Sequence, residues 1–197
     1  MGQQFRPIIG GIYGGDYRSY VYQTKDECIC TKIMEHSWWN NKFVNTISYM
    51  LYNCPKRVCW VGEYSEEKDF KFDVPDSVLI PSYEDVYGED EDYRDIEEFI
   101  DFTLDGKYLV NFDTEEYIDL DLYKKKSFGR NDEIIHPLPL LTAIGNGDYL
   151  GDYHDYNKGF KFVGKWAWQL LAILDKAPSN FTKIDLIFSE LKYTDWN

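Results

Sequence analysis

Short runs of alternating apolar and polar residues recur along this chain, and that period predicts strands. Phe5 to Ile9 is apolar and precedes the glycine pairs Gly10-Gly11 and Gly14-Gly15, which suit tight turns. Tyr17 to Gln23 then alternates, and Ile29 to Met34 offers it a partner, so the opening third reads as an antiparallel meander. Phe43, Val44, Ile47 and Leu51 instead fall on one stripe of a helix, with Asn40 or Asn41 as its cap and Pro55 beyond its stop at Asn53. Arg57 to Tyr64, carrying Val58, Trp60 and Val61, predicts a further strand.

In Glu91 to Phe102 the spacing of Tyr93, Ile96, Phe99 and Ile100 predicts an amphipathic helix whose other face is carboxylates. Lys107 to Phe112 and Tyr117 to Leu122 flank Asp113-Thr114-Glu115-Glu116 and form the clearest hairpin. In its second strand Ile118, Leu120 and Leu122 share one face, which puts Asp119 and Asp121 on the other. Trp166, Leu170, Ile173 and Leu174 predict a helix closing before Pro178, and Ile184, Leu186 and Phe188 a last strand. The expected class is therefore α+β, a mainly antiparallel sheet of short strands packed with about three helices. A length of 197 residues fits one domain, 1–197, with residues 63–121 as a possible subdomain or insertion.

Charge changes the picture because it is regional. The chain carries a net −14, yet between Glu63 and Asp121 there are 22 acidic residues against four bases, a net of −18, so the remainder is mildly positive. The densest part runs Glu84, Asp85, Glu89, Asp90, Glu91, Asp92, Asp95, Glu97, Glu98 and Asp101. A solvated acidic face is the ordinary account of such a block. Aromatic residues are interleaved, however, and a fold that pins repelling carboxylates is relieved by a cationic partner. Duplex DNA spaces its charges at roughly 1.7 Å along the axis, a line that a row of carboxylates imitates. The same field repels nucleic acid. The leading expectation is thus a non-enzymatic protein that binds a basic, nucleic-acid-binding protein or nuclease complex. Its contact residues would be Tyr87, Glu89, Asp90, Glu91, Asp92, Tyr93, Asp95, Glu98, Asp101 and Phe102.

At 44% hydrophobic and 18% aromatic, with 17 Tyr, 12 Phe and 6 Trp, the chain has ample material for a core. Neither a basic-then-apolar leader nor a membrane-length apolar run occurs, so a cytoplasmic protein is expected. Cys28, Cys30, Cys54 and Cys59 lack the knuckle spacing of a zinc site and read as reduced thiols. No metal or cofactor is expected.

Two loops carry the alternative, a metal- or nucleotide-binding hydrolase. In His36-Ser37-Trp38-Trp39 two adjacent rings cannot both enter one core, so either one is free to meet a ligand or, the ordinary account, one covers the helix start and the other a sheet edge. Gly145, Asn146 and Gly147 in the second form a turn whose N–H groups suit an anion, and Asp148, Asp152, His154 and Asp155 suit a divalent ion; a tight solvated loop explains the same residues. His36, His136 and His154 are the only histidines and hence the candidate acid–base groups. No nucleophile elbow, phosphate-binding loop or zinc-protease helix is present.

Three segments, Met34 to Trp38, Arg57 to Tyr64 and His136 to Gly147, together resemble uncharacterised proteins encoded by phages and mobile elements of Gram-positive bacteria. The resemblance covers about a fifth of the chain and implies a setting rather than a fold or an activity. An acidic phage-borne protein of this size implies an inhibitor of host defence, such as an anti-CRISPR protein, acting in a bacterial cytoplasm.

Overall fold

The computed structural model describes residues 4–11, 18–24, 27–29, 31–32, 38–62, 65, 93–95, 99–127, 134–144 and 162–187. These residues form strands β1 (Gln4–Gly10), β2 (Arg18–Thr24), β3 (Glu27–Ile29), β4 (Thr31–Lys32), β5 (Lys56–Gly62), β6 (Tyr93–Asp95), β7 (Tyr108–Asn111), β8 (Glu116–Asp119), β9 (Ala143–Ile144), β10 (Gln169–Leu174) and β11 (Thr182–Lys183). The helices are α1 (Lys42–Met50), α2 (Leu120–Lys126) and α3 (Pro137–Thr142).

The main path of the sheet is β11-β8-β7-β10-β5-β1-β2-β3, with β4 on β1, β6 on β2 and β9 on β5. Most pairs are antiparallel; β11 with β8, β6 with β2 and β9 with β5 are parallel. The fold is α+β, with a mainly antiparallel sheet. Strand β5 lies between β1 and β10, pairing Ile8 with Cys59 on one side and Leu170 with Arg57 on the other. Both of its faces are covered, so Val58 to Val61 is buried without interruption. Val58 and Trp60 join the larger core with α1 and α3, while Cys59 and Val61 join Ile8, Ile144 and Trp168 in a smaller core.

Helix α1 forms because Phe43, Val44 and Ile47 share a stripe and Asn41 caps it, accepting from Phe43 N at 2.9 Å and Val44 N at 3.1 Å. After Leu51 the chain turns at Asn53, whose φ of 51° ends the helix while its N–H donates to Ile173 O.

Four expectations are corrected. Within Glu91–Phe102, Tyr93–Asp95 is a strand parallel to Ser19–Val21, and 99–104 has no helix. The like-charge pairs Glu91/Asp95, Asp95/Glu98 and Glu97/Asp101 would sit one turn apart on a helix and oppose it, whereas pairing with β2 supplies backbone partners. The expected helix at Trp166–Leu174 is a turn through residues 162–168 followed by strand β10, held between β7 and β5. A short apolar run that is buried on both faces has no period to separate strand from helix. In the hairpin, β8 stops at Asp119, which caps α2 by accepting from Leu122 N at 2.9 Å. The last strand is only Thr182–Lys183; Ile184–Ile187 is irregular and Phe188 lies outside the described residues.

Candidate functional site

Residues 99–105 run across α1 without regular structure and build the most distinctive surface. Ile100 N donates to Thr46 Oγ1 at 3.0 Å, pinning the strap to the helix, and buried Leu104 anchors its far end. Between these points the side chains cannot all turn inward. Phe99 and Ile100 are each 36% exposed, and Tyr49, off the buried stripe of α1, is 44% exposed. Phe102 packs edge-on against Tyr49 at 5.5 Å and against Tyr52 at 5.3 Å. A set of apolar rings thus stays at the surface beside Asp101 and Asp105, where most proteins put polar residues.

An ion-paired cluster stiffens the back of this patch. Asp175 accepts from Tyr52 Oη at 2.6 Å and from Lys107 Nζ at 3.0 Å, and the Lys107 ammonium lies 5.0 Å from the Tyr52 ring centre and 5.6 Å from that of Phe102. The hydrogen bond from Tyr52, then the Lys107 contact, hold the Asp175 carboxyl below its ordinary range, while the same bond to Asp175 pushes the Tyr52 hydroxyl up.

The strap also lines a cleft of about 400 Å³. Phe99, Ile100 and Phe102 of the strap join Trp39 and Leu104 in its apolar lining, Asn40 and Asn45 supply its amides, and Lys42, Lys124, Asp101 and Asp105 its charges. Lys124 Nζ donates to Asp105 at 3.1 Å and stands 5.5 Å from the centre of the Trp39 ring. That bond and the lysine charge hold the Asp105 carboxyl below its usual range. Gly106 N donates to both oxygens of Asp121, at 3.0 and 3.1 Å, which closes the strap onto α2.

Of the residues singled out in the sequence, Asp101 and Phe102 lie in this site. Tyr93 and Asp95 are in β6. Tyr87, Glu89, Asp90, Glu91, Asp92 and Glu98 lie outside the described residues, as do His36, His154, Gly145, Asn146, Gly147, Asp148, Asp152 and Asp155. Trp38 is half-buried against the main core and bridges Ile135, while Trp39 is buried.

His136 is not at a surface. It is fully enclosed and caps α3, its Nδ1 accepting from Leu138 N at 3.0 Å, while Nε2 lies 3.3 Å from Ser48 Oγ and the ring stacks on Trp39 at 5.6 Å. Burial pushes its pKa down to about 3, so the ring is neutral at pH 7. Both of its nitrogens are engaged inside the core, one as the cap of α3 and one towards Ser48 of α1.

The sequence reading missed Tyr49, Asn45, Lys42 and Lys124. A signal existed for Tyr49, an aromatic residue off the apolar stripe of α1; Lys124 in Lys124-Lys125-Lys126 carried none. Among the described residues no group of three or more His, Cys, Asp or Glu is gathered to hold a metal, and no helix is long and apolar enough to cross a membrane. No family model, curated protein or solved structure matches this chain.

Proposed function

We propose that this protein is a non-enzymatic interaction protein. In this reading it lays an acidic, aromatic-studded face on the basic surface of a nucleic-acid-handling protein and so competes with nucleic acid for it. The observation that carries the reading is the exposed group Tyr49, Phe99 and Ile100 next to Asp101, which lies within the stretch Glu63 to Asp121 that bears a net −18. Interfaces draw affinity from aromatic anchors and direction from charge, and both are present here within a few residues. The resemblance to phage and mobile-element proteins supports a setting in which the partner is a host-defence nuclease complex, with an anti-CRISPR mode of action in the bacterial cytoplasm.

The test is affinity capture from a bacterial extract at low and physiological salt, using wild type and a variant with the carboxylates of 89–101 neutralised. Wild type should retain a basic nucleic-acid-binding protein at low salt, lose much of it at physiological salt, and lose the ability to compete with DNA for it once neutralised. Retention that ignores both salt and neutralisation would refute charge mimicry.

A further inference from the structure

The strap ends in a tight turn that holds the only Asp-Gly pair in the chain, Asp105-Gly106. Lys107 N donates to Leu104 O at 3.1 Å and so closes four residues with this pair at the corner. The corner is open: the Asp105 side chain is 66% exposed, Gly106 has φ of 70°, and a Cβ there would meet nothing within 4 Å. An aspartyl carboxyl followed by an unhindered backbone nitrogen is the arrangement that closes a five-membered ring. The Gly106 nitrogen bonds to Cγ of the protonated Asp105 carboxyl and gives up its proton, and one carboxyl oxygen leaves as water. Water then opens this succinimide at either carbonyl. One opening returns aspartate; the other runs the main chain through the side-chain carbons and yields isoaspartate.

We propose that Asp105-Gly106 is a site of spontaneous isoaspartate formation, and that two side chains of α2 hold it in check, Lys124 at the acid and Asp121 at the amide. Ring closure needs the neutral carboxyl. Lys124 Nζ donates to Asp105 at 3.1 Å, and that bond with the lysine charge keeps the carboxyl ionised. Ring closure also needs the Gly106 nitrogen to release its proton and leave the amide plane. Its N–H is shared between both oxygens of Asp121, at 3.0 and 3.1 Å, which resists that movement. Asp121 and Lys124 stand three positions apart on α2, so one face of the helix guards both reacting groups. Isomerisation adds one carbon to the main chain between buried Leu104 and Lys107. It therefore breaks the turn and the Lys124 pair together, and frees the far end of the strap that carries Phe99 and Ile100. The step needs no partner and stands apart from the interaction reading.

The test is incubation of the full chain at neutral pH in heavy-oxygen water, because each passage through the ring leaves one solvent oxygen on the residue. Electron-transfer fragmentation of the tryptic peptide 95–107 locates the label and separates aspartate from isoaspartate. Label is expected at Asp105 and not at Asp101, which precedes the bulky Phe102. A free peptide of residues 103–108, which lacks both guards, should react at least about tenfold faster than the folded chain. Lys124→Gln should speed the reaction about three- to tenfold, whereas Lys125→Gln, the same change in net charge, should alter it by less than about twofold. Asp121→Ala should speed it about two- to tenfold. A folded chain labelled as fast as the peptide, or both guard variants labelled at the wild-type rate, would overturn the proposal. Slower labelling of Asp121→Ala would overturn it too, by making that carboxylate the base that drives ring closure.

Discussion

His136 Nε2 lies 3.3 Å from Ser48 Oγ, joining two residues 88 positions apart inside the core. The Ser48 hydroxyl donates to Val44 O at 2.8 Å, so it receives the Nε2 proton of the imidazole, and the bare Nδ1 accepts from Leu138 N. One neutral tautomer therefore satisfies α1, α3 and the ring at once. A protonated ring would lose the cap and put a charge among Trp39, Leu138 and Val44.

The acid sensitivity of the fold follows. In the unfolded chain this histidine titrates near 6.5, while in the fold burial holds it at about 3. Below pH 6.5 the unfolded state takes up a proton that the native state refuses, so stability falls as pH drops from about 6.5 towards 3. His136→Asn keeps a capping acceptor but removes the titration. Urea melts between pH 6 and pH 4 should show wild type losing on the order of 1 kcal/mol more per pH unit than the variant. Parallel slopes would mean the ring is not held neutral.

Glu116 ties the hairpin to the turn that precedes β10. It accepts from Lys165 Nζ at 2.9 and 3.0 Å, Trp166 Nε1 at 3.1 Å and Thr114 Oγ1 at 3.0 Å. Burial raises its pKa, but the three sets of hydrogen bonds outweigh that and hold the carboxyl below its ordinary value. Its contribution is present above the ordinary carboxylate range and is lost as pH falls through the lowered native value. Glu116→Gln should cost about 1–2 kcal/mol at pH 7 by chemical denaturation, and the difference should shrink in acid.

Two glycines give a matched comparison of backbone strain. Gly106 and Gly164 have φ of 70° and 67°, so alanine is disfavoured at both. A Cβ at Gly106 would meet nothing within 4 Å, whereas at Gly164 it would come within 2.4 Å of Ala143 O, which belongs to a strand paired with β5. Gly106→Ala should cost about 1 kcal/mol and Gly164→Ala about 3 kcal/mol or more, read from denaturation midpoints.

The surface patch predicts a loss of binding out of proportion to the loss of stability. Tyr49→Ser combined with Ile100→Ser trims partly buried side chains and should cost about 1–3 kcal/mol while leaving the fold in place. If these residues are anchors, competition with DNA for a captured partner should weaken at least about tenfold. Unchanged competition by a stably folded double variant would remove the patch from the interface.

Much of the architecture was legible where one signal dominated. The apolar stripe of α1 with Asn41 before it, the apolar runs of β1 and β5, and the turn at Asp113 to Glu115 each point one way in sequence and are found in place. Legibility failed where long-range pairing decides. Leu170 to Leu174 is as good a helix as a strand until β5 and β7 flank it, and Tyr93 to Asp95 is a strand only because β2 offers an edge. At the site, Asp101 and Phe102 were visible through composition. The cleft was not, because Trp39, Asn45, Asp105 and Lys124 come from separate segments whose meeting is a product of packing.

Strand β10 is inserted between β5 and β7, although it follows both of them by more than fifty residues. While the chain is being made, the β1–β5 half and the β7–β8 hairpin emerge as separate pieces with no edge in common. Within the sheet they are joined only by Gln169–Leu174. Completion of this sheet therefore waits for β10, and until that strand is in place the inner edges of β5 and β7 stand open to any other strand that finds them first.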